Sequence, residues 1–102
     1  MFPKPATDIV PNTLAFETTP LIKPTGFREY DARWWYGVPG DDKLPELNLK
    51  GVTALGMGIG TLLGQMGVRK EIVTGHDYRA YSSSIKMALI TGLMASGCRV
   101  YD

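Results

Sequence analysis

The last third of the chain, RKEIVTGHDYRAYSSSIKMALITGLMASGCRVYD (69–102), constrains the fold most. Glu71-Ile72-Val73-Thr74 is a short β-prone run closed by Gly75, and Cys98-Arg99-Val100-Tyr101-Asp102 begins another. Between them Ser82, Ser83 or Ser84 can cap a helix that runs to about Ser96, with Gly97 as its stop. Strand, helix and strand in that order predict a βαβ unit with parallel strands and a right-handed crossover. The topology also predicts where ligands bind, because open α/β sheets take them beyond the carboxyl ends of the parallel strands. Gly75-His76-Asp77-Tyr78-Arg79 lies at that end of the first strand. Since the sequence stops at Asp102, on or beside the second strand, a piece of a longer protein is expected.

Upstream, NLKGVTALGMGIGTLLGQMG (48–67) has no charge after Lys50 and opens on Asn48, a residue suited to helix capping. Gly56, Gly60 and Gly64 recur every four residues, with Gly67 three further on, and so share one stripe of a helix. A glycine inside a helix costs about 1 kcal/mol relative to alanine. The stripe therefore predicts close approach to a sheet or a second helix. Two other readings fit less well. Gly56-Met57-Gly58-Ile59-Gly60 imitates a dinucleotide fingerprint, but that pattern's third glycine falls at Thr61, and the preceding residues make a poor strand. Residues 51–68 are uncharged, yet six glycines, two threonines and a glutamine leave them only weakly apolar for a membrane span.

Five of the seven prolines lie in the first 24 residues, where they remove backbone donors and disfavour helix. Residues 1–25 are therefore expected as an extended arm and residues 26–102 as the folded part. GVPGDDKLPEL (37–47) has two glycines, two prolines and adjacent aspartates, the chemistry of a loop leading into the helix. TGFREYDARWWYG (25–37) is harder to place. As a strand it sets Phe27, Glu29, Asp31, Arg33 and Trp35 on one face and Arg28, Tyr30, Ala32, Trp34 and Tyr36 on the other. Neither face is apolar, so the mixture predicts charged groups held in place by rings.

A chain of 102 residues that is 44% hydrophobic is one domain at most. Its 11 basic and 10 acidic residues leave a net charge of +1, too little for a general attraction to nucleic acid or an anionic membrane. With Cys98 as its one cysteine, an intrachain disulfide and a cysteine-rich zinc site are excluded, and a reducing cytoplasm is expected. With His76 as its one histidine, an imidazole cluster for a metal is excluded too. The N-terminus lacks the basic segment and apolar run of a secretory signal.

Candidate chemistry lies in two places. Asp77 and Arg79 can serve a site at the strand end or pair to brace the loop. His76 can hydrogen-bond or act as a general base, and the serines at 82–84 can bind phosphate or only cap. In the earlier segment, Arg33 offers a bidentate partner for phosphate or carboxylate, and Tyr30 a phenol donor for a sugar or phosphate oxygen. The alternative is an Arg33 stacked on Trp34 or Trp35 and paired with Asp31.

FREYDARW (27–34), then a glycine-rich helix, then VTGHDYRAYSSSIKMALITGLMASGCRVYD (73–102) resembles the N-terminal part of the α-D-phosphohexomutases, the phosphomannomutase and phosphoglucomutase group. That family's pattern is F-R-x-Y-D-x-R-G, a strand ending G-R-D-x-R, then a helix and a strand of the type G-C-x-V-x-D. The order of three motifs over residues 26–102 carries the resemblance. It implies the first part of domain 1, an α/β fold of three-layer α/β/α type with a mixed, mostly parallel sheet, incomplete at the C-terminus. It also implies phosphoryl transfer between the 1- and 6-hydroxyls of a hexose through an enzyme phosphoserine, with Mg²⁺. Matched motif by motif, Tyr30 and Arg33 look like substrate-binding residues of the cleft, Arg33 near the phosphoserine, while Asp77 and Arg79 look like braces of the catalytic loop. The implied partners are a phosphorylated hexose and the remaining domains of the same chain, with neither nucleic acid nor membrane.

Trp34 stands where the family has glycine, His76 where it has arginine, and Tyr81 where a serine is usual, which marks a divergent branch. The family's Ser-His-Asn phosphoserine loop follows the G-C-x-V-x-D strand and is absent from these residues. No catalytic residue and no bound metal are therefore expected here, and the chain alone is expected to be inactive. A free-standing small α/β binding or interaction domain is the alternative. An isolated piece would also expose a sheet edge and apolar surface through which it could self-associate.

Overall fold

A computed structural model describes residues 9–37 and 40–102. Its elements are α1 (Leu14–Thr18), a 3₁₀ turn (Pro24–Gly26), α2 (Leu49–Gln65), β1 (Glu71–Val73), α3 (Ser82–Ala95) and β2 (Arg99–Tyr101). They fall into two compact units that divide between Gly51 and Val52, in the first turn of α2.

The second unit is the expected βαβ motif. β1 and β2 pair in parallel, with Glu71 opposite Arg99, Ile72 opposite Val100 and Val73 opposite Tyr101. Ile72 and Val100 are half-buried, whereas their neighbours on both strands are exposed. Gly97 ends α3 at φ +91°, as its position predicts. Its N–H donates to the Met94 carbonyl at 3.0 Å and the Cys98 N–H to the Leu93 carbonyl at 2.9 Å, the paired bonds of a Schellman stop. The same pair closes α2. There Gly67, at φ +70°, donates to Gly64 and Val68 donates to Leu63. Gly67 is thus a helix stop and not a member of the packing stripe.

Of the remaining stripe, Gly56 and Gly60 pack α2 against α3, whereas a Cβ on Gly64 would meet only the Lys70 side chain, at 3.9 Å. A Cβ on Gly56 would collide with the Leu89 carbonyl and sit 2.9 Å from the Leu93 nitrogen; one on Gly60 would strike the Ser96 side chain. From the other side, a Cβ on Gly92 would strike the Thr53 carbonyl and lie 2.9 Å from the Met57 nitrogen. Two backbones therefore meet directly, which offsets the helical cost of the glycines. Val52, Leu93 and Cys98 are buried in this unit. Gly58 lies inside the same helix, with no described atom within 4 Å of a Cβ, so the run at 56–60 is helix interior and not a phosphate-binding turn. Gly92→Leu is accordingly expected to cost about 3 kcal/mol or more. Gly58→Ala is expected to gain about 0.5–1 kcal/mol. Urea midpoints of the two variants check both.

The first unit departs more from expectation. Of the arm expected over residues 1–25, residues 1–8 lie outside the described residues, and the rest is not uniformly extended. Thr13 caps α1, its hydroxyl accepting from the Phe16 N–H at 3.3 Å. Pro11 and Pro20 flank this short helix and bound it instead of preventing it. Ile22 then forms an antiparallel bridge with Leu47, and Leu21, Ile22 and Leu47 are buried.

Asn48 organises this unit. It is 2% exposed, and its Oδ1 accepts from Leu21 N at 2.9 Å and from Gly51 N at 2.7 Å. Its Nδ2 donates to the carbonyls of Phe16 at 2.7 Å and Thr19 at 2.8 Å. One side chain thus caps α2, as expected, and also ties α1 and the Leu21 segment to that cap.

Candidate functional site

Within residues 25–37, Gly26 to Arg33 close a tight turn, and the stretch contains no strand. The Arg28 N–H donates to the Asp31 carbonyl at 2.9 Å and the Arg33 N–H to the Gly26 carbonyl at 2.8 Å. Phe27 and Ala32 thereby pair as an antiparallel bridge. Mixed faces are no anomaly in such a turn, because neither face has to cover a core. Tyr30 projects from the turn and is 92% exposed. The Arg33 side chain, 77% exposed, is held by its Nε donating to Asp31 Oδ2 at 2.9 Å.

The rings do a different job from the one expected. Trp34 donates from Nε1 to the Lys23 carbonyl at 2.7 Å and stands edge-on to Phe27, with centroids 5.0 Å apart at 90°. Its indole occupies the space that a Cβ on Gly26 would need. The Trp35 carbonyl accepts from the Glu46 N–H at 2.7 Å, and the Trp35 N–H donates to Glu46 Oε1 at 2.8 Å. The cation over Trp35 is Lys43, 5.3 Å from the ring centroid. The indoles therefore fix the backbone of the turn, and an acidic neighbour orients Arg33. The Trp35 N–H, ahead of the opposing effect of burial and the help of Lys43 and Lys23, holds the Glu46 carboxyl below the usual carboxylate range.

In the second unit the loop after β1 wraps around Asp77. Its Oδ1 accepts from the Arg79 N–H at 3.1 Å and from the Ser82 hydroxyl, and its Oδ2 faces Arg79 Nη1 at 3.0 Å. The Ser82 bond first, and the Arg79 N–H next, hold the Asp77 carboxyl below its ordinary range. A serine cap was expected at the start of α3. Instead the helix begins at Ser82 itself, Tyr81 is the N-cap residue, and Ser82 spends its hydroxyl on Asp77.

One cluster at the strand ends escaped the sequence reading. Asp102 accepts from the Thr74 hydroxyl at 3.1 Å and from Lys86 Nζ at 2.9 Å. Lys86 and then Thr74 hold its carboxyl below the ordinary range. The signal was present, since Lys86 is the one charged residue in the α3 sequence SSSIKMALITGLMA. Among the described residues no three His, Cys, Asp or Glu side chains gather as a metal site. No described helix is long and apolar enough to cross a membrane.

Comparison with known proteins accounts for the two motif-bearing segments. Residues 25–102 match the family described as phosphoglucomutase/phosphomannomutase, alpha/beta/alpha domain I. The chain is 40% identical over 67 residues to a phosphoglucomutase/phosphomannomutase of Thermococcus kodakarensis, covering 65% of this chain and 14% of that protein. A probable phosphoglucosamine mutase of Methanocella arvoryzae is 41% identical over 64 residues, covering 63% of this chain and 12% of that protein. A phosphoglucosamine mutase of Francisella tularensis is 30% identical over 66 residues, with 65% and 15% covered. No solved structure matches the chain significantly. With a turn bearing Tyr30 and Arg33, a glycine-packed helix and a parallel βαβ unit in that family's order, the chain belongs to the phosphoglucomutase/phosphomannomutase family, over its α/β/α domain I.

Proposed function

We propose that this chain is the opening part of domain I of a phosphohexomutase that interconverts hexose 6-phosphate and hexose 1-phosphate through an enzyme phosphoserine, an isomerase acting in the cytoplasm. The family match over residues 25–102, combined with the small share of each relative that the chain covers, supports this reading. In it the phosphoserine loop and the later domains lie beyond Asp102 in the same polypeptide.

The residues present contribute position and charge. Phosphoryl transfer builds charge on the equatorial oxygens of the moving group, and preorganised cations stabilise it. Arg33 is the cation offered here: an exposed guanidinium whose Nε is anchored by Asp31 keeps its planar fork aimed. Tyr30 offers a phenol to a sugar or phosphate oxygen. Asp77 and Arg79 hold the β1–α3 loop, with Ser82 fixing that loop to the start of α3. They act as braces and not as acid or base. Mg²⁺, implied for the whole enzyme, would be held by its later domains.

The 102-residue chain by itself is therefore expected to be inactive. Purified and given mannose 6-phosphate, it should form no 1-phosphate above the blank. Measurable conversion would place the whole catalytic machinery inside these residues and end the reading.

A further inference from the structure

We infer that Lys86, Asp102 and Thr74 form a positioning clamp that fixes the direction in which the chain leaves β2 at the carboxyl end of the sheet. The inference rests on the mutase reading above. Val73 and Tyr101 are the last residues paired in register, and the Thr74 N–H reaches the Tyr101 carbonyl at 2.8 Å. Beside that pair, two side-chain bonds tie the elements together. Thr74 donates to one oxygen of Asp102 and Lys86 to the other. Three elements thus converge on one carboxylate: the exit of β1, the exit of β2 and the body of α3.

The burial of the Lys86 side chain argues against an incidental surface pair. Lys86 is only 12% exposed and is the single charge in α3, whereas Asp102 is 48% exposed. With its aliphatic stem covered along the helix face, Lys86 has few other positions for its ammonium, which is held to one oxygen of Asp102 at 2.9 Å. The location matters equally, because ligands of open α/β sheets bind beyond the carboxyl ends of their strands. The same clamp anchors the start of the loop that carries Asp77, so both loops at that end depart from fixed points. In a mutase a misplacement of about 1 Å in a reacting group costs about a hundredfold in rate. A residue that sets the exit of β2 therefore acts on turnover while touching no substrate.

Two variants of the full-length protein test the clamp, Asp102→Asn and Lys86→Met, each with two readouts. The first is steady-state kinetics with hexose 6-phosphate. The clamp predicts that kcat falls about tenfold or more in both variants while KM stays within about twofold and the melting temperature barely moves. A merely structural pair would shift stability and leave the kcat of the folded fraction unchanged. The second is amide hydrogen exchange at Thr74, whose N–H is bonded to the Tyr101 carbonyl, expected to accelerate about tenfold in Asp102→Asn with the amides of α2 unchanged. A kcat within twofold of the wild type in both variants overturns the clamp. If the wild type itself turns over no hexose phosphate, the mutase reading falls instead. Exchange alone then decides, and unchanged protection of the Thr74 amide overturns the clamp.

Discussion

Asn48→Ala is expected to destabilise the first unit by about 4 kcal/mol, a large share of the total for a small domain. The side chain makes four hydrogen bonds from a site that is 2% exposed. Truncation leaves two N–H groups and two carbonyls without that partner, and each buried orphan costs about 1–3 kcal/mol before relaxation and water recover part of it. Loss of a helix cap alone would cost only about 1 kcal/mol. Asn48→Asp separates the two accounts. An aspartate caps as well as an asparagine, so a pure cap would tolerate it. The observed site would not, because the carbonyls of Phe16 and Thr19 would face a carboxylate in place of a donor. Urea unfolding followed by the fluorescence of Trp34 and Trp35, both in this unit, should show both variants unfolding at markedly lower denaturant than the wild type. An Asn48→Asp midpoint equal to the wild type would reduce Asn48 to a cap.

Arg33→Ala in the full-length protein should lower kcat by about a hundredfold or more, the scale of losing one preorganised charge-stabilising group. Stability should scarcely change, since an exposed ion pair contributes about 0–1 kcal/mol. Arg33→Lys should recover only part of the rate, because an ammonium restores charge without the planar fork. Asp31→Ala should fall between the wild type and Arg33→Ala, as it frees the guanidinium without removing it. Steady-state phosphoryl transfer by the purified variants supplies the comparison. Turnover of Arg33→Ala within twofold of the wild type would remove Arg33 from the site.

The parts of the fold legible in the sequence are those set by local chemistry. Gly97 ends α3 because of its own backbone freedom, and the four-residue spacing of Gly56 and Gly60 pointed to the close approach that Leu89, Leu93 and Ser96 make. The parallel pairing of β1 and β2 followed from the order of elements. What escaped depends on partners distant in sequence. Asn48 reads as a cap from its neighbours, whereas its other bonds reach residues 27 to 32 positions away. Trp34 seemed placed to hold Arg33, yet the bare Gly26 surface and the Lys23 carbonyl claimed its indole. Ser82 had the composition of a cap, but a carboxylate five residues upstream competed for its hydroxyl. Tyr30 and Arg33, offered by residue type as partners for phosphate and given a place in the cleft by the resemblance, stand exposed on one turn.

Turnover by the full-length protein that carries this chain is the most direct measure of the central claim. The account predicts conversion of a hexose 6-phosphate, whether of mannose, glucose or glucosamine, to the 1-phosphate, with phosphate recovered on a serine beyond residue 102. A folded full-length protein that converts none of the three and carries no phosphoserine would contradict it.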